Sequence, residues 1–461
     1  MSLVTPYQPR VVCLTLIIFF AFCHSGLAQS NKRVIPEAHI LAKVDEYMGA
    51  LAALNRFRGT ILVARNGRVL TTGSYGFANL EDEVPNTRET KFQLASVTKT
   101  FTAMAIMILQ ERGKLTVQDS ICRHLKNCPA AWQQVTIHHL LSMSSGIPNF
   151  TDFPDWLTTR AQPADYTTTI ARFRDKPLDF APGEKYSYSN SGYVLLAQII
   201  ENLTGQTYEG FLRQNIFEPL GMRNTGFDNN KVVLKRRALA YARDGIRLVR
   251  APYLNTAIVK GAGGLYSVVD DLFLWDQAMI AGRLVTKTSL DSMFAIHKGD
   301  FGYGWHIDEQ FKRRRIFYDG VQIGFKASIS RYPDEKVCLI LLTNSDDVFI
   351  NSANRDLAAI VFGEKYDLPG ARDTVRQNPA VYERYVGRYQ LDSDLVMTVT
   401  TEGDRLMAEA DGRKFELLPE TETKFFVREY DAQIMFTFMK DENGGVTHLI
   451  YNRTQRAPKL N

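Results

Sequence analysis

A serine and a lysine at short spacing give the strongest sign of chemistry in this sequence. Ser96 and Lys99 stand three positions apart, where an apolar run predicts a helix over 98–112. Residues at this spacing share one face of a helix, so the Lys99 amine is within reach of the Ser96 hydroxyl. A serine becomes a nucleophile when a base takes its proton, and the free N–H groups of a helix start favour the oxyanion that follows. To act as that base, the lysine needs a pKa about two to three units below its usual value of about 10.4.

A second polar pair supports this interpretation, since an isolated Ser-x-x-Lys is also what a helix cap followed by an exposed lysine gives. Tyr188 and Asn190 lie two positions apart in a predicted extended loop that precedes a helix. Alternate residues of an extended chain point to the same side. Tyr188 can therefore relay a proton to a leaving group, and Asn190 can hold Lys99 or a substrate carbonyl. Tyr253 and Asn255 have the same spacing, and we interpret Tyr253 as a packing residue.

The elements that must hold these residues follow from the hydrophobic periodicity. Two strands are predicted over 59–75, and further strands return late in the chain, the first of them over 302–307. The stretch 115–290 between them is mostly helix and loop. Early and late strands around a helical insert predict one α/β domain whose sheet is built from both ends of the segment.

The two motifs resemble those of the serine β-lactamase-like family, which includes class C β-lactamases, D-alanyl-D-alanine carboxypeptidases, D-aminopeptidases and esterases. Ser96-Val97-Thr98-Lys99 is similar to the family's first motif and Tyr188-Ser189-Asn190 to its second. Further matching stretches lie at 59–64, 139–146, 180–184 and 261–265, so the resemblance covers about residues 35 to 365. It implies an antiparallel sheet flanked by helices with a mostly helical subdomain. It also implies an acyl-enzyme formed on Ser96, with Lys99 and Tyr188 as its general base.

The third motif departs from the family pattern. Where the family has a lysine or histidine on the strand beside the site, this sequence has Tyr318, and Gly324-Phe325 keeps the register. A tyrosine offers a neutral hydrogen bond where a cation would pair with a substrate carboxylate. Uncharged esters and amides thus become better substrates, and an esterase or D-peptidase fits better than a true β-lactamase. The neighbouring run 312–315 is an alternative source of a cation, against its interpretation as a solvated hairpin tip.

The resemblance also implies an oxyanion hole made by the backbone N–H groups of Ser96 and Val321, which the change at Tyr318 does not remove. The predicted substrate-binding residues are Asn190, Tyr318, Gly320 and Val321. The leading hypothesis is an exported serine hydrolase that cleaves an ester or amide, with peptides and β-lactams among the candidate substrates. The alternatives are a covalent penicillin-binding sensor that is acylated without turnover, and a non-catalytic binding protein.

The overall composition excludes several other classes of protein. The chain has 461 residues, of which 45% are hydrophobic and 23% charged, and this is typical of packed globular domains rather than disordered or fibrous chains. A net charge of +5 over this length is too small for a nucleic-acid-binding surface. Neither His138-His139 nor the glycine run 261–264 has the spacing of a metal site or a phosphate loop. We expect no metal and no organic cofactor, and a small-molecule or peptide substrate as the partner.

The first residues predict an export signal. Arg10 precedes the apolar run 11–22, and Gly26-Leu27-Ala28 suits a signal peptidase, so residues 1–28 are a predicted signal peptide. The apolar run is shorter than the roughly 20 residues a membrane-spanning helix needs, and we expect no membrane span after cleavage. A lipid anchor through Cys23 is the weaker alternative. The mature protein is predicted to be periplasmic or secreted.

Composition divides the mature chain into two domains. The predicted hydrolase domain covers 29–370, and a Pro- and Gly-containing stretch predicts a linker over 371–380. Short alternating strands beyond it predict a small all-β, barrel-like domain over 381–461. In an oxidising compartment, Cys122 and Cys128 favour a local disulfide, whereas Cys338 lies in an apolar strand and is interpreted as a buried free thiol.

Overall fold

The computed structural model describes residues 35–162, 164–229, 231–244, 247–370, 374–392, 395–427, 434–451 and 455–460. The predicted signal peptide and positions 371–373 of the predicted linker lie outside these residues. The α-helices of the described residues are α1 (Glu37–Ala53), α2 (Thr98–Glu111), α3 (Ile137–Leu141), α4 (Trp156–Thr159), α5 (Tyr166–Arg174), α6 (Asn190–Thr204), α7 (Tyr208–Leu212), α8 (Glu218–Leu220), α9 (Val269–Ile280), α10 (Lys287–Met293) and α11 (Ile350–Phe362).

The strands, many of them short, are β1 (Gly59–Arg65), β2 (Arg68–Tyr75), β3 (Phe77–Asn79), β4 (Val84–Pro85), β5 (Phe92–Gln93), β6 (Gly226–Phe227), β7 (Tyr241–Asp244), β8 (Arg247–Arg250), β9 (Leu265–Ser267), β10 (His306–Gln310), β11 (Arg313–Gln322), β12 (Phe325–Tyr332), β13 (Val337–Thr343), β14 (Gly387–Asp392), β15 (Leu395–Glu402), β16 (Arg405–Ala410), β17 (Arg413–Pro419), β18 (Lys424–Val427), β19 (Ile434–Lys440), β20 (Val446–Tyr451) and β21 (Gln455–Leu460).

The main sheet is antiparallel, in the order β10–β11–β12–β13–β1–β2. Its early strands β1 and β2 pair with the late strands through β13, so the sheet is built from both ends of the segment, as predicted. Successive residues of β1 alternate between two cores: Ile61 packs with α1 and α11 on one face, and Leu62 packs with α2 and α9 on the other. Burial on both faces explains why β1 and β13 are continuous apolar runs.

Two predicted elements start or end differently in the structure. The strand expected over 302–307 begins only at His306. The preceding residues form a tight loop that requires glycine at two positions. A Cβ atom at Gly302 would lie 2.3 Å from the Met293 carbonyl oxygen, and Gly304 has a φ of +76°. The helix predicted to follow the extended loop of Tyr188 and Asn190 begins at Asn190 itself, so the second motif runs directly into α6.

The C-terminal strands form a closed barrel, β14 to β21, whose ends meet through the pairs Arg388–Leu460 and Tyr389–Lys459. Closure leaves no free sheet edge. Aromatic rings fill the interior; the Tyr385 ring, for example, stacks on Phe438 with 4.6 Å between centroids. A 3-10 helix, Pro379–Arg384, leads into β14. The structure thus has an α/β sheet domain with a mostly helical region, and a separate all-β domain.

The cysteines and the helices can be compared with the predictions of a disulfide and of no membrane span. The sulfur atoms of Cys122 and Cys128 are joined in a disulfide, and Cys338 is a buried free thiol. Of the helices in the described ranges, none combines the length and the apolar character needed to cross a bilayer.

Candidate active site

Backbone hydrogen bonds hold the turn that carries Ser96. The Leu94 N–H donates to the Leu265 carbonyl at 2.7 Å, which ties the turn to β9. A 3-10 turn over Ala95–Val97 follows, in which the Val97 N–H donates to the Leu94 carbonyl at 3.1 Å. Ala95 has a φ of +46°, a left-handed conformation that non-glycine residues seldom adopt and that is often found at functional turns. Because α2 begins at the next turn, Ser96 lies at the start of a helix.

Strand β11 packs directly on this turn, and Gly320 makes the close approach possible. A Cβ atom at Gly320 would lie 2.2 Å from the Leu94 carbonyl oxygen and 3.1 Å from the Ser96 nitrogen. Only glycine fits at that distance. The next residue, Val321, is 60% exposed and lines the cavity in front of Ser96. The structure therefore brings the predicted residues Gly320 and Val321 to Ser96.

Lys99 is fully buried beneath the serine. Its Nζ lies 3.0 Å from Ser96 Oγ, 2.7 Å from the Tyr188 hydroxyl, 2.8 Å from Asn190 Oδ1 and 2.8 Å from the Ala262 carbonyl oxygen. The last two atoms can only accept hydrogen bonds, so a neutral amine would donate its two N–H groups to them and keep its lone pair for the hydroxyls. Burial lowers the pKa of Lys99, and Tyr188 opposes part of that change. The surroundings thus favour the neutral amine that a general base requires.

Tyr188 and Asn190 complete this polar cluster. The Tyr188 hydroxyl lies 2.7 Å from Ser96 Oγ, as well as from Lys99 Nζ, so it contacts both partners of the predicted proton transfer. The Asn190 Nδ2 group donates to Thr151 Oγ1 at 3.0 Å, which turns Oδ1 towards Lys99. The pair Ser96 and Lys99 and the pair Tyr188 and Asn190 are far apart in sequence, yet the four residues form one connected group.

The glycine run 261–264 has a part in the site that its sequence does not reveal. Thr102 of α2 donates to the Gly261 carbonyl at 2.7 Å, and a Cβ atom at Gly261 would lie 2.4 Å from the Tyr193 carbonyl oxygen of α6. The run is thereby fixed against both helices. Its Ala262 carbonyl accepts a hydrogen bond from Lys99. The only signal in the sequence is the clearance that successive glycines allow.

A cavity of about 270 Å³ opens in front of Ser96. Its walls combine part of the polar cluster, the end of β11 and a helical segment. The lining residues are Ala95, Ser96, Thr151, Trp156, Arg160, Asn190, Leu254, Val259, Ala262, Gly263, Val321, Gln322 and Ile323. Trp156 and Arg160 were not expected from the sequence, because nothing in their spacing links them to the motifs. They follow from the way α4 packs beside residues 254–259.

Tyr318 differs from its predicted role in substrate binding. It is 1% exposed and does not line the cavity, because the rings of Phe301 and His306 pack against it with centroid distances of 6.0 and 5.4 Å. Burial raises the pKa of Tyr318 well above its usual value, and the nearby Tyr188 raises it further. The buried Tyr318 hydroxyl is close to Tyr188, which already contacts Ser96 and Lys99. Tyr318 therefore lies near Tyr188, outside the lining of this cavity, and its predicted contact with substrate stays a prediction.

The alternative cation source, the run 312–315, is directed elsewhere. Arg315 pairs with Asp308 at 2.5 Å and Arg313 with Glu364 at 3.0 Å, and neither residue lines the cavity in front of Ser96. Among the residues described by the structure, no three His, Cys, Asp or Glu side chains are grouped so as to bind a metal ion.

Comparison with known proteins places this geometry in a family. The family model described as Beta-lactamase matches residues 44–361. The chain belongs to the beta-lactamase family. A second family model, a domain of unknown function (DUF3471), matches residues 371–460, which contain the barrel. The predicted family and fold class are both confirmed.

Similar proteins extend along most of the chain. A penicillin-binding protein of Bacillus subtilis (strain 168) is 32% identical over 418 residues, which cover 85% of this chain and 92% of the relative. The solved structure of an octameric penicillin-binding protein homologue from Pyrococcus abyssi is 28% identical with a TM-score of 0.65, and the match covers 91% of this chain and 100% of that one. A D-stereospecific amidohydrolase from Streptomyces sp. shares the fold at 23% identity and a TM-score of 0.56, over 68% of this chain and 95% of that one.

Proposed function

We propose that this protein is an exported serine hydrolase that cleaves an ester or amide through an acyl-enzyme on Ser96. The observation that carries the proposal is the contact of one buried amine with both hydroxyls: Lys99 Nζ lies 3.0 Å from Ser96 Oγ and 2.7 Å from the Tyr188 hydroxyl. A non-catalytic protein has no need of a buried lysine whose pKa is lowered next to a serine. Membership of the beta-lactamase family supports hydrolysis as the general activity.

In the proposed acylation step, Ser96 Oγ attacks the substrate carbonyl carbon. The serine proton passes to the neutral Lys99 amine, either directly or through the Tyr188 hydroxyl, since both lie within hydrogen-bond distance. The tetrahedral intermediate then collapses, the bond to the leaving group breaks, and Tyr188 donates a proton to that group. Lys99 passes the proton it took to Tyr188, which restores both groups. Water then attacks the acyl carbon and gives a proton to Lys99, the bond between that carbon and Ser96 Oγ breaks as Oγ regains the proton, and the carboxylic acid leaves.

Stabilisation of the oxyanion is assigned to backbone groups. The Ser96 nitrogen lies at the start of a helix and faces β11 at Gly320, with Val321 next along that strand. We propose that the N–H groups of Ser96 and Val321 bind the substrate oxygen, an interaction that commonly contributes about 3–4 kcal/mol to acyl transfer. The disulfide between Cys122 and Cys128 supports the export that the first residues predict, because such bonds persist in oxidising compartments.

The proposal is tested by labelling with a fluorophosphonate probe. Intact-mass measurement should show one adduct per chain, and peptide mapping should locate it on Ser96. Ser96→Ala should abolish labelling, whereas Ser74→Ala, which changes an exposed serine of β2, should leave it unchanged. Labelling that persists in Ser96→Ala would reject the assignment.

A covalent sensor is the second candidate, and the names of the penicillin-binding relatives favour it. It shares the acylation step and differs in lacking deacylation. A fluorescent penicillin separates the two functions: a hydrolase releases the label over successive turnovers, and a sensor keeps one label per chain for hours.

A further inference from the structure

Arg160 is the one charged residue among the described residues that line the cavity in front of Ser96. It follows directly after α4 and is half-buried. Its guanidinium has no ion-pair or hydrogen-bond partner within the described part of the chain. By contrast, the guanidinium of Arg172 forms an ion pair with Asp155 at 2.5 Å.

An unpaired guanidinium in such a position is suited to a ligand. Its planar N–H groups match the two oxygens of a carboxylate, and such charge-assisted pairs are stronger than neutral hydrogen bonds. The cavity wall beside it consists of Trp156, Leu254 and Val259. Apolar walls exclude water and strengthen the attraction between opposite charges. A substrate with an apolar group and a carboxylate would therefore satisfy both features of this wall.

None of the other polar residues that line the described cavity carries a positive charge that could pair with a carboxylate. Ser96, Thr151, Asn190 and Gln322 are neutral, and Lys99 is buried beneath the serine with four partners of its own. Tyr318, a predicted substrate-binding residue, does not line the cavity. The one charged residue of the described cavity lining thus belongs to the helical region rather than to β11.

We propose that Arg160 binds a carboxylate of the substrate and makes the protein selective for anionic esters or amides. This deepens the proposed function and rests on it, since the carboxylate is recognised while Ser96 attacks the same molecule. It also replaces the preference for uncharged substrates that Tyr318 suggested in the sequence. Arg160 contacts the substrate at the carboxylate and takes no part in proton transfer.

The test uses two matched substrates: a benzoyl-D-alanyl thioester whose thioglycolate leaving group has a free carboxylate, and the methyl ester of the same compound. The wild type should prefer the carboxylate form in kcat/KM. Arg160→Gln should lower kcat/KM for the carboxylate about 10- to 100-fold, mainly through KM, and change the methyl ester less than about threefold. Arg160→Lys should restore most of the preference, because it restores the charge.

Matched controls separate this proposal from the proposed function. Arg223→Gln removes an exposed arginine that does not line the cavity, and both substrates should be unaffected. An equal loss on both substrates in Arg160→Gln, or a wild type without preference for the carboxylate, would overturn the anion site. Either result can occur while the fluorophosphonate still labels Ser96, so the hydrolase proposal would stand. Failure of Ser96 labelling would instead overturn the hydrolase proposal itself.

Discussion

Lys99 and Arg160 are two cationic side chains beside one cavity, and their surroundings differ in nearly every respect. Lys99 is 0% exposed and has four polar contacts, whereas Arg160 is half-buried and has no partner within the described residues. Burial lowers the pKa of Lys99, which allows it to lose its proton. A guanidinium keeps its charge in any protein setting. Depth and residue type together therefore suit Lys99 to the proposed role of base and Arg160 to the proposed role of anion-binding group.

The substitution Lys99→Arg is expected to have the largest effect, and it tests whether Lys99 is the base. An arginine at this position is permanently charged and cannot accept a proton, so kcat/KM should fall about 10³-fold or more. Lys99→Met should lose a similar amount, which guards against an effect of arginine size alone. Lys185→Arg changes an exposed lysine and should have no effect. Activity of Lys99→Arg within tenfold of the wild type would show that Lys99 is not the base.

The substitution Tyr188→Phe tests whether Tyr188 relays a proton to the leaving group. The Ser96–Lys99 contact remains, so the serine can still lose its proton, but the relay to the leaving group is lost. We expect kcat/KM to fall about 10²-fold on an amide substrate and less on the thioester, because an amine must be protonated to leave whereas a thiolate need not be. Equal losses on the two substrates, measured by single-turnover acylation, would contradict the relay.

Ionic strength should affect only the Arg160 end of the cavity. Raising salt from about 0.05 to 0.5 M screens partly exposed charges, so kcat/KM for the carboxylate thioester should fall about two- to fivefold. The methyl ester should show no such dependence, and neither should the carboxylate form in Arg160→Gln. A salt effect that survives in Arg160→Gln would place the attraction elsewhere.

Tyr318→Phe should have the smallest effect. Its hydroxyl lies outside the cavity lining, so we expect kcat/KM to change less than about threefold on both thioesters. A loss confined to the carboxylate substrate would return to Tyr318 the role that its place in the third motif suggests.

The sequence predicts well those parts of the site that depend on local geometry. One turn of α2 brings Lys99 to Ser96, and the step of two residues brings Tyr188 and Asn190 to the same side. The same holds for the sheet, where β1 and β13 are apolar because both of their faces are covered.

Other features depend on contacts that no local pattern contains. Arg160 reaches the cavity through the packing of the helical region, and the Ala262 carbonyl reaches Lys99 because Thr102 and the backbone of α6 fix its turn. Alternation along β11 places Tyr318 on the same face as Gly320, but does not show that Phe301 covers it. The closure of the barrel through β14 and β21 is likewise a long-range pairing.

The pH dependence of kcat/KM for the methyl ester tests the central claim most directly. Because burial lowers the pKa of Lys99, its neutral form should prevail above a pH well below 10.5, the usual value for lysine. The rate should therefore rise with pH through that lowered pKa and then reach a plateau, and Lys99→Met should lose the rise. A rising limb centred near pH 10.5 in the wild type would contradict the account.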